Sequence, residues 1–115
     1  MRYKGSCHCG KVAFEVEGEL DGAVSCNCSI CQRKGALLWC VPRHKLRLLG
    51  PEDEAGSYVF NRQAIAHRFC RNCGIHPYAE DTAQAGERMA YVNIRCLEGL
   101  DVAAVPLLEF DGRSM

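Results

Sequence analysis

Three cysteines fall within six residues at Cys26-Asn27-Cys28-Ser29-Ile30-Cys31, spaced C-x-C-x-x-C. Two pairs stand apart from it, Cys7-His8-Cys9 near the N-terminus and Cys70-Arg71-Asn72-Cys73-Gly74 past mid-chain. Together they hold seven of the nine cysteines. Zinc takes four thiolate or imidazole ligands where its role is structural, and three plus an exchangeable ligand where its role is chemical. The grouping of two, three and two divides most simply into a closed four-cysteine site from the outer pairs and an open three-cysteine site between them.

Each outer pair is followed by glycine, Gly10 and Gly74. Glycine lets the backbone wrap so that amide N–H groups point at the sulfurs, as in a zinc knuckle. Four thiolates on Zn²⁺ leave a net charge of −2, and Lys11, Arg68 and Arg71 are placed in sequence to offset it. His8 is a competing ligand, although four sulfurs already complete a tetrahedron.

The central triplet is the more informative group. Cys28 and Cys31 should span the first turn of a short helix, where N–H groups lower thiol pKa. Arg33 and Lys34 follow closely and suit an anionic ligand. Zinc held by three thiolates can activate a bound thiol or polarise a carbonyl. Two other readings stay open: a second structural zinc with Cys40, Cys96 or a histidine as fourth ligand, and a metal-free redox cluster. Cys40 and Cys96 read as buried small hydrophobes. His67 reads as a core or supporting histidine, with a ligand or base as the alternative, His44 as surface, and His76 or Tyr78 as a group that the fold could bring to the central site.

The elements that must position these residues are short. Lys11 to Glu17 alternates, with Val12, Phe14 and Val16 on one face, and is expected to be a half-buried strand. Leu20 to Ser25 is a second strand leading into the central cysteines. Ser29 to Lys34, closed by Gly35, reads as one or two helical turns. Strands are expected at Ala36–Val41, around Leu46 and Leu48, at Ser57–Phe60 and Ala64–Phe69 with a turn at Asn61–Gln63, at Arg88–Ile94 and at Val105–Phe110. Glu52–Gly56 reads as a polar loop. The class is mainly β, built of short antiparallel strands.

A length of 115 residues predicts one domain over 1–115. Fourteen basic and fourteen acidic side chains cancel, which argues against a general phosphate-backbone binder. The N-terminal residues lack an apolar segment of signal-peptide length, and the longest apolar run, Ala36 to Val41, is far too short for a membrane span. A soluble cytoplasmic protein is expected. In that reducing setting, an odd number of cysteines and the tight C-x-C spacing point to metal or catalysis rather than disulfides.

Three motifs together resemble the glutathione-dependent formaldehyde-activating enzyme family, to which centromere protein V also belongs. They are Gly5-Ser-Cys-His-Cys-Gly-Lys-Val12, the Cys26, Cys28 and Cys31 triplet, and His67-x-Phe69-Cys70-x-x-Cys73-Gly74 with His76-Pro77. The resemblance runs from about Gly5 to Tyr78. It implies an Mss4-like fold of small antiparallel sheets. It implies a structural zinc on Cys7, Cys9, Cys70 and Cys73, and a catalytic zinc on Cys26, Cys28 and Cys31. The implied activity is that of a carbon–sulfur lyase, written as S-hydroxymethylglutathione formation from formaldehyde and glutathione. Asn27 stands where many members have histidine. The rival reading is a non-catalytic zinc module that docks a protein or nucleic acid. A fourth protein ligand on the central cluster, or the lack of a cleft beside it, would favour that rival.

Overall fold

The computed structural model describes residues 1–59, 64–82 and 87–112. In chain order its strands begin with β1 (Arg2–Ser6), β2 (Ala13–Glu17) and β3 (Ala23–Cys26), followed by the helix α1 (Ser29–Lys34). Then come β4 (Leu38–Pro42), β5 (Leu46–Leu48), β6 (Ala55–Tyr58) and β7 (Ile65–Cys70). The last three are β8 (Tyr78–Asp81), β9 (Met89–Asn93) and β10 (Leu107–Phe110).

Two sheets form, mainly antiparallel as expected. One has three strands in the order β1-β2-β5, the other seven in the order β10-β3-β4-β9-β8-β7-β6. The exception is β10, which joins β3 in parallel. Val12, Phe14 and Val16 are buried, as their alternation requires. They pack with Leu46 of the small sheet against Trp39, Val41, Tyr78, Ala90 and Val92 of the large one. Phe14 and Tyr78 meet with ring centroids 6.4 Å apart. No helix among the described residues is long and apolar enough to cross a membrane.

The helix starts and ends where the pattern places it, with Gly35 as a left-handed C-cap. The expected loop Glu52–Gly56 is instead a 3-10 turn over Glu52–Glu54 that runs into β6. Ala55 and Gly56 are buried because the Phe69 ring lies against Gly56, where any Cβ would overlap it. Phe60 and the expected turn at Asn61–Gln63 lie outside the described residues.

Two strands give no clear sequence signal, β1 and β8. The second carries a charge into the interior. Glu80 is buried and accepts hydrogen bonds from Arg43 Nε at 2.6 Å, Arg68 Nε at 2.8 Å and Arg88 Nη2 at 3.3 Å. Burial pushes the Glu80 carboxyl up, but the bonds from Arg43 and Arg68 outweigh it and hold it below its ordinary value. The stabilisation it gives is therefore in place above pH 4.5 and is lost as pH falls below that value. Glu80→Gln leaves three arginines gathered on a neutral amide and should cost about 3 kcal/mol. Urea unfolding at pH 7 and at a series of pH values falling well below 4.5 checks both the loss and its decline in acid. An unchanged midpoint at pH 7 would show that the cluster contributes nothing to stability.

Candidate metal centres

The turn between β1 and β2 carries Cys7 and Cys9, while β7 ends on Cys70 and turns sharply to Cys73. The four sulfurs lie within 4.8 Å of one another. Gly10 and Gly74 have φ of 85° and 81°, which a side chain would strain. Their turns aim backbone N–H groups at sulfur: Val12 donates to Cys7 Sγ at 3.3 Å, and Asn72 and Cys73 each donate to Cys70 Sγ at 3.4 Å. Cys7 and Cys9 sulfurs are 3.7 Å apart, and those of Cys9 and Cys70 3.5 Å. Zinc–sulfur bonds of about 2.3 Å set tetrahedral sulfur–sulfur edges of roughly 3.8 Å. The donor set therefore fits such an ion. It would tie the hairpin of the small sheet to a strand of the large one.

The thiols of this cluster differ before any metal arrives. Burial pushes Cys7 up to about 11. The backbone N–H of Ile75 leads the contacts that pull Cys73 down to about 6. Arg68 does not offset the cluster's charge, contrary to expectation, because it is engaged by Glu80 and by Glu52 at 3.3 Å. His8 is exposed and stands outside the sulfur group.

The central triplet is built by one continuous stretch. Cys26 ends β3, Cys28 is the N-cap of α1, and Cys31 lies buried on the helix. Their sulfurs also lie within 4.8 Å of one another, with no fourth cysteine, histidine or carboxylate joining them among the described residues. Burial pushes the Cys28 thiol up, but the Cys31 N–H leads contacts that bring it lower on balance. Cys31 departs from expectation: burial and the neighbouring Cys28 push it up to about 12. The C-terminal segment covers this cluster. Asn27 N donates to Phe110 O at 3.1 Å, and Asn27 Nδ2 to Asp111 Oδ1 at 3.0 Å. A Cβ on Gly112 would meet Cys26 Sγ at 2.6 Å.

Beside the triplet lies a cavity of about 580 Å³. Its floor is the face of the large sheet turned away from the core. There Cys40 pairs with Tyr91, Tyr91 with Ala79, and Ala79 with His67. His67 is buried, and Lys34 Nζ lies 3.3 Å from its Nδ1. Burial, then the Lys34 charge, pulls His67 down to about 4, so the imidazole is neutral at pH 7. On the other side of α1 is a groove of about 940 Å³ whose lining includes Arg33, Lys34, Arg95 and His76.

Several expected residues land elsewhere. Tyr78 is buried in the core with its hydroxyl unpartnered, and it lines neither cavity. His76 lines the cationic groove rather than the cavity beside the triplet. Cys40 is exposed rather than buried, because Trp39 and Val41 take the core face of β4 and turn it outward. Cys96 is half-buried against the core, and His44 is exposed. Neither Cys40 nor Cys96 joins a sulfur group. Ala79, Tyr91 and Phe110 border the triplet's cavity and carried no sequence signal, since they come from three separate strands.

A family model described as glutathione-dependent formaldehyde-activating enzyme matches residues 2–109. Among solved structures, the crystal structure of a Rhodobacter sphaeroides protein, a structural genomics target, is similar at 33% sequence identity. The TM-score is 0.77, and the likeness covers 91% of this chain and 99% of that one.

Proposed function

Because the chain belongs to the glutathione-dependent formaldehyde-activating enzyme family, we propose that it joins a small thiol of the glutathione type to an aldehyde, as a zinc-dependent carbon–sulfur lyase acting in the bond-forming direction. One observation carries this reading. The sulfurs of Cys26, Cys28 and Cys31 stand on the wall of a cavity, and no fourth protein ligand closes them off among the described residues. That arrangement weighs against the docking-module reading, which needs a closed central cluster or no cleft.

In this reading each chain holds two zinc ions, a structural one on Cys7, Cys9, Cys70 and Cys73 and a catalytic one on Cys26, Cys28 and Cys31. When bound there, zinc supplies a fourth position which, with three thiolates already giving a net charge of −1, suits a thiolate better than a hydroxide. Arg33, Lys34 and Arg95 supply the positive charge that glutathione's carboxylates require. Val24, Leu38, Ile65 and Phe110 give the cavity beside the sulfurs an apolar border. His67, neutral on the cavity wall with Lys34 at its Nδ1, is assigned the proton transfer that the addition needs.

The chemistry balances without an oxidant or reductant. The thiol sulfur bonds to the aldehyde carbon, the carbonyl π pair moves to oxygen, and the proton released by the thiol ends on that oxygen. The chain is read as one zinc domain in a reducing cytoplasmic setting, which suits nine free cysteines.

Cobalt-substituted protein titrated with glutathione tests the reading. A fourth thiolate should change the visible spectrum, and an aldehyde should then be consumed above the buffer rate. A spectrum indifferent to every thiol, with no aldehyde consumption, would return the protein to the docking-module reading.

A further inference from the structure

Formaldehyde has two heavy atoms and about the bulk of one or two water molecules, each taking roughly 30 Å³. The cavity beside Cys26, Cys28 and Cys31 is about 580 Å³. Pockets of about 300–1,000 Å³ take whole drug-sized ligands. The space is also elongated. Its floor crosses five adjacent strands, from Val24 on β3 through Leu38 on β4, Tyr91 on β9 and Ala79 on β8 to Ile65 on β7. Four strand spacings of about 4.8 Å make that row roughly 19 Å across.

The lining suits hydrocarbon. Val24, Leu38, Ile65, Ala79 and Phe110 present apolar side chains. The Tyr91 hydroxyl already donates to Asp81 Oδ1 at 2.9 Å, so the ring is what it offers the cavity. Among the described residues no arginine, lysine or carboxylate lines this space, whereas the groove across the helix is lined by Arg33, Lys34 and Arg95. The two hollows therefore differ in chemistry. The charged groove suits the thiol's carboxylates, while the apolar cavity is the one of the two that Cys26, Cys28 and Cys31 border.

We propose that the aldehyde partner is a medium-chain, apolar aldehyde whose tail lies along the Leu38–Tyr91–Ala79–Ile65 row, with its carbonyl carbon at the triplet. The proposal rests on the thiol-addition reading above. Ala79 gives the row its depth, since a larger residue between His67 and Tyr91 would fill it. The product is the corresponding hemithioacetal, with one new carbon–sulfur bond and the thiol proton on the former carbonyl oxygen.

The test uses the zinc-loaded full chain with saturating glutathione, correcting for the uncatalysed addition. Linear aldehydes from ethanal to hexanal share nearly constant carbonyl reactivity, so chain length is the variable. In the wild type, kcat/KM should rise about fourfold per methylene, or about two orders of magnitude over the series. Ile65→Trp and Ala79→Leu should each flatten that slope to less than about twofold per methylene, since the lost term is the burial of each CH₂. A flat wild-type slope with formaldehyde and ethanal still turned over would overturn the proposal and leave the thiol-addition reading standing. No turnover of any aldehyde would overturn both. A steep slope unchanged in both variants would place the tail outside this cavity and overturn the assignment.

Discussion

Cys70→Ala should lower the thermal midpoint by at least about 15 °C, taking ~4 kcal/mol or more as the loss for a chain of this size. Cys70 is 1% exposed, accepts two backbone N–H groups, and stands 3.5 Å from Cys9 across 61 residues of sequence. Holding those segments together closes a long loop between the two sheets, and the binding energy of a structural zinc is folding energy. The substitution also leaves two N–H donors facing a methyl group. Chelator-treated wild type separates the metal's share, because it keeps every side chain and should show most of the same drop. If stripped protein melts like the untreated sample, the outer cluster does not hold the fold together.

Cys28→Ala should behave in the opposite way. The protein should stay folded, with a midpoint within a few degrees of wild type, while glutathione-dependent aldehyde consumption falls at least about 100-fold. Loss of a residue that merely supports a metal ligand already costs roughly 10- to 100-fold, so loss of a ligand should cost no less. Cys28 is half-buried at the helix N-cap and lies outside the main apolar core, which limits the damage to folding. Bound metal should fall from two ions per chain to about one. If Cys28→Ala unfolds the chain while Cys70→Ala does not, the two clusters have exchanged roles. If Cys28→Ala keeps full turnover, the central triplet is not where the chemistry occurs.

Both predictions start from features that were legible in the residues. The spacing of Cys7 with Cys9, Cys70 with Cys73, and Cys26 with Cys28 and Cys31 places each set within one turn of chain, so local geometry brings the sulfurs close. Glycine after Cys9 and after Cys73 marks where the backbone must enter the left-handed region. The alternation of Val12, Phe14 and Val16 declares a buried face, and Gly35 closes the helix. The strand β8 carries no such pattern, for the converse reason. Tyr78-Ala79-Glu80-Asp81 reads as polar, and Glu80 is interior only because Arg43, Arg68 and Arg88 arrive from elsewhere in the chain. Cys40 is similar, since an unbroken apolar run does not say which residues of a strand face the core.

The sequence by itself determined the grouping of the cysteines into two pairs and a triplet, the mainly β class and the short helix that Cys28 caps and Cys31 sits on. All of these depend on residues a few positions apart, where φ, ψ and side-chain period suffice. Tertiary structure alone decided what stands beside the triplet. The row His67, Ala79, Tyr91 and Cys40 is assembled from four strands by register, and Phe110 arrives on a parallel edge strand. Strand pairing joins residues dozens of positions apart through backbone groups that every residue carries, so no local pattern names the partner. The cysteines could therefore be read as ligands from their spacing, whereas the chemistry of the cavity they face appears only once the sheet is assembled.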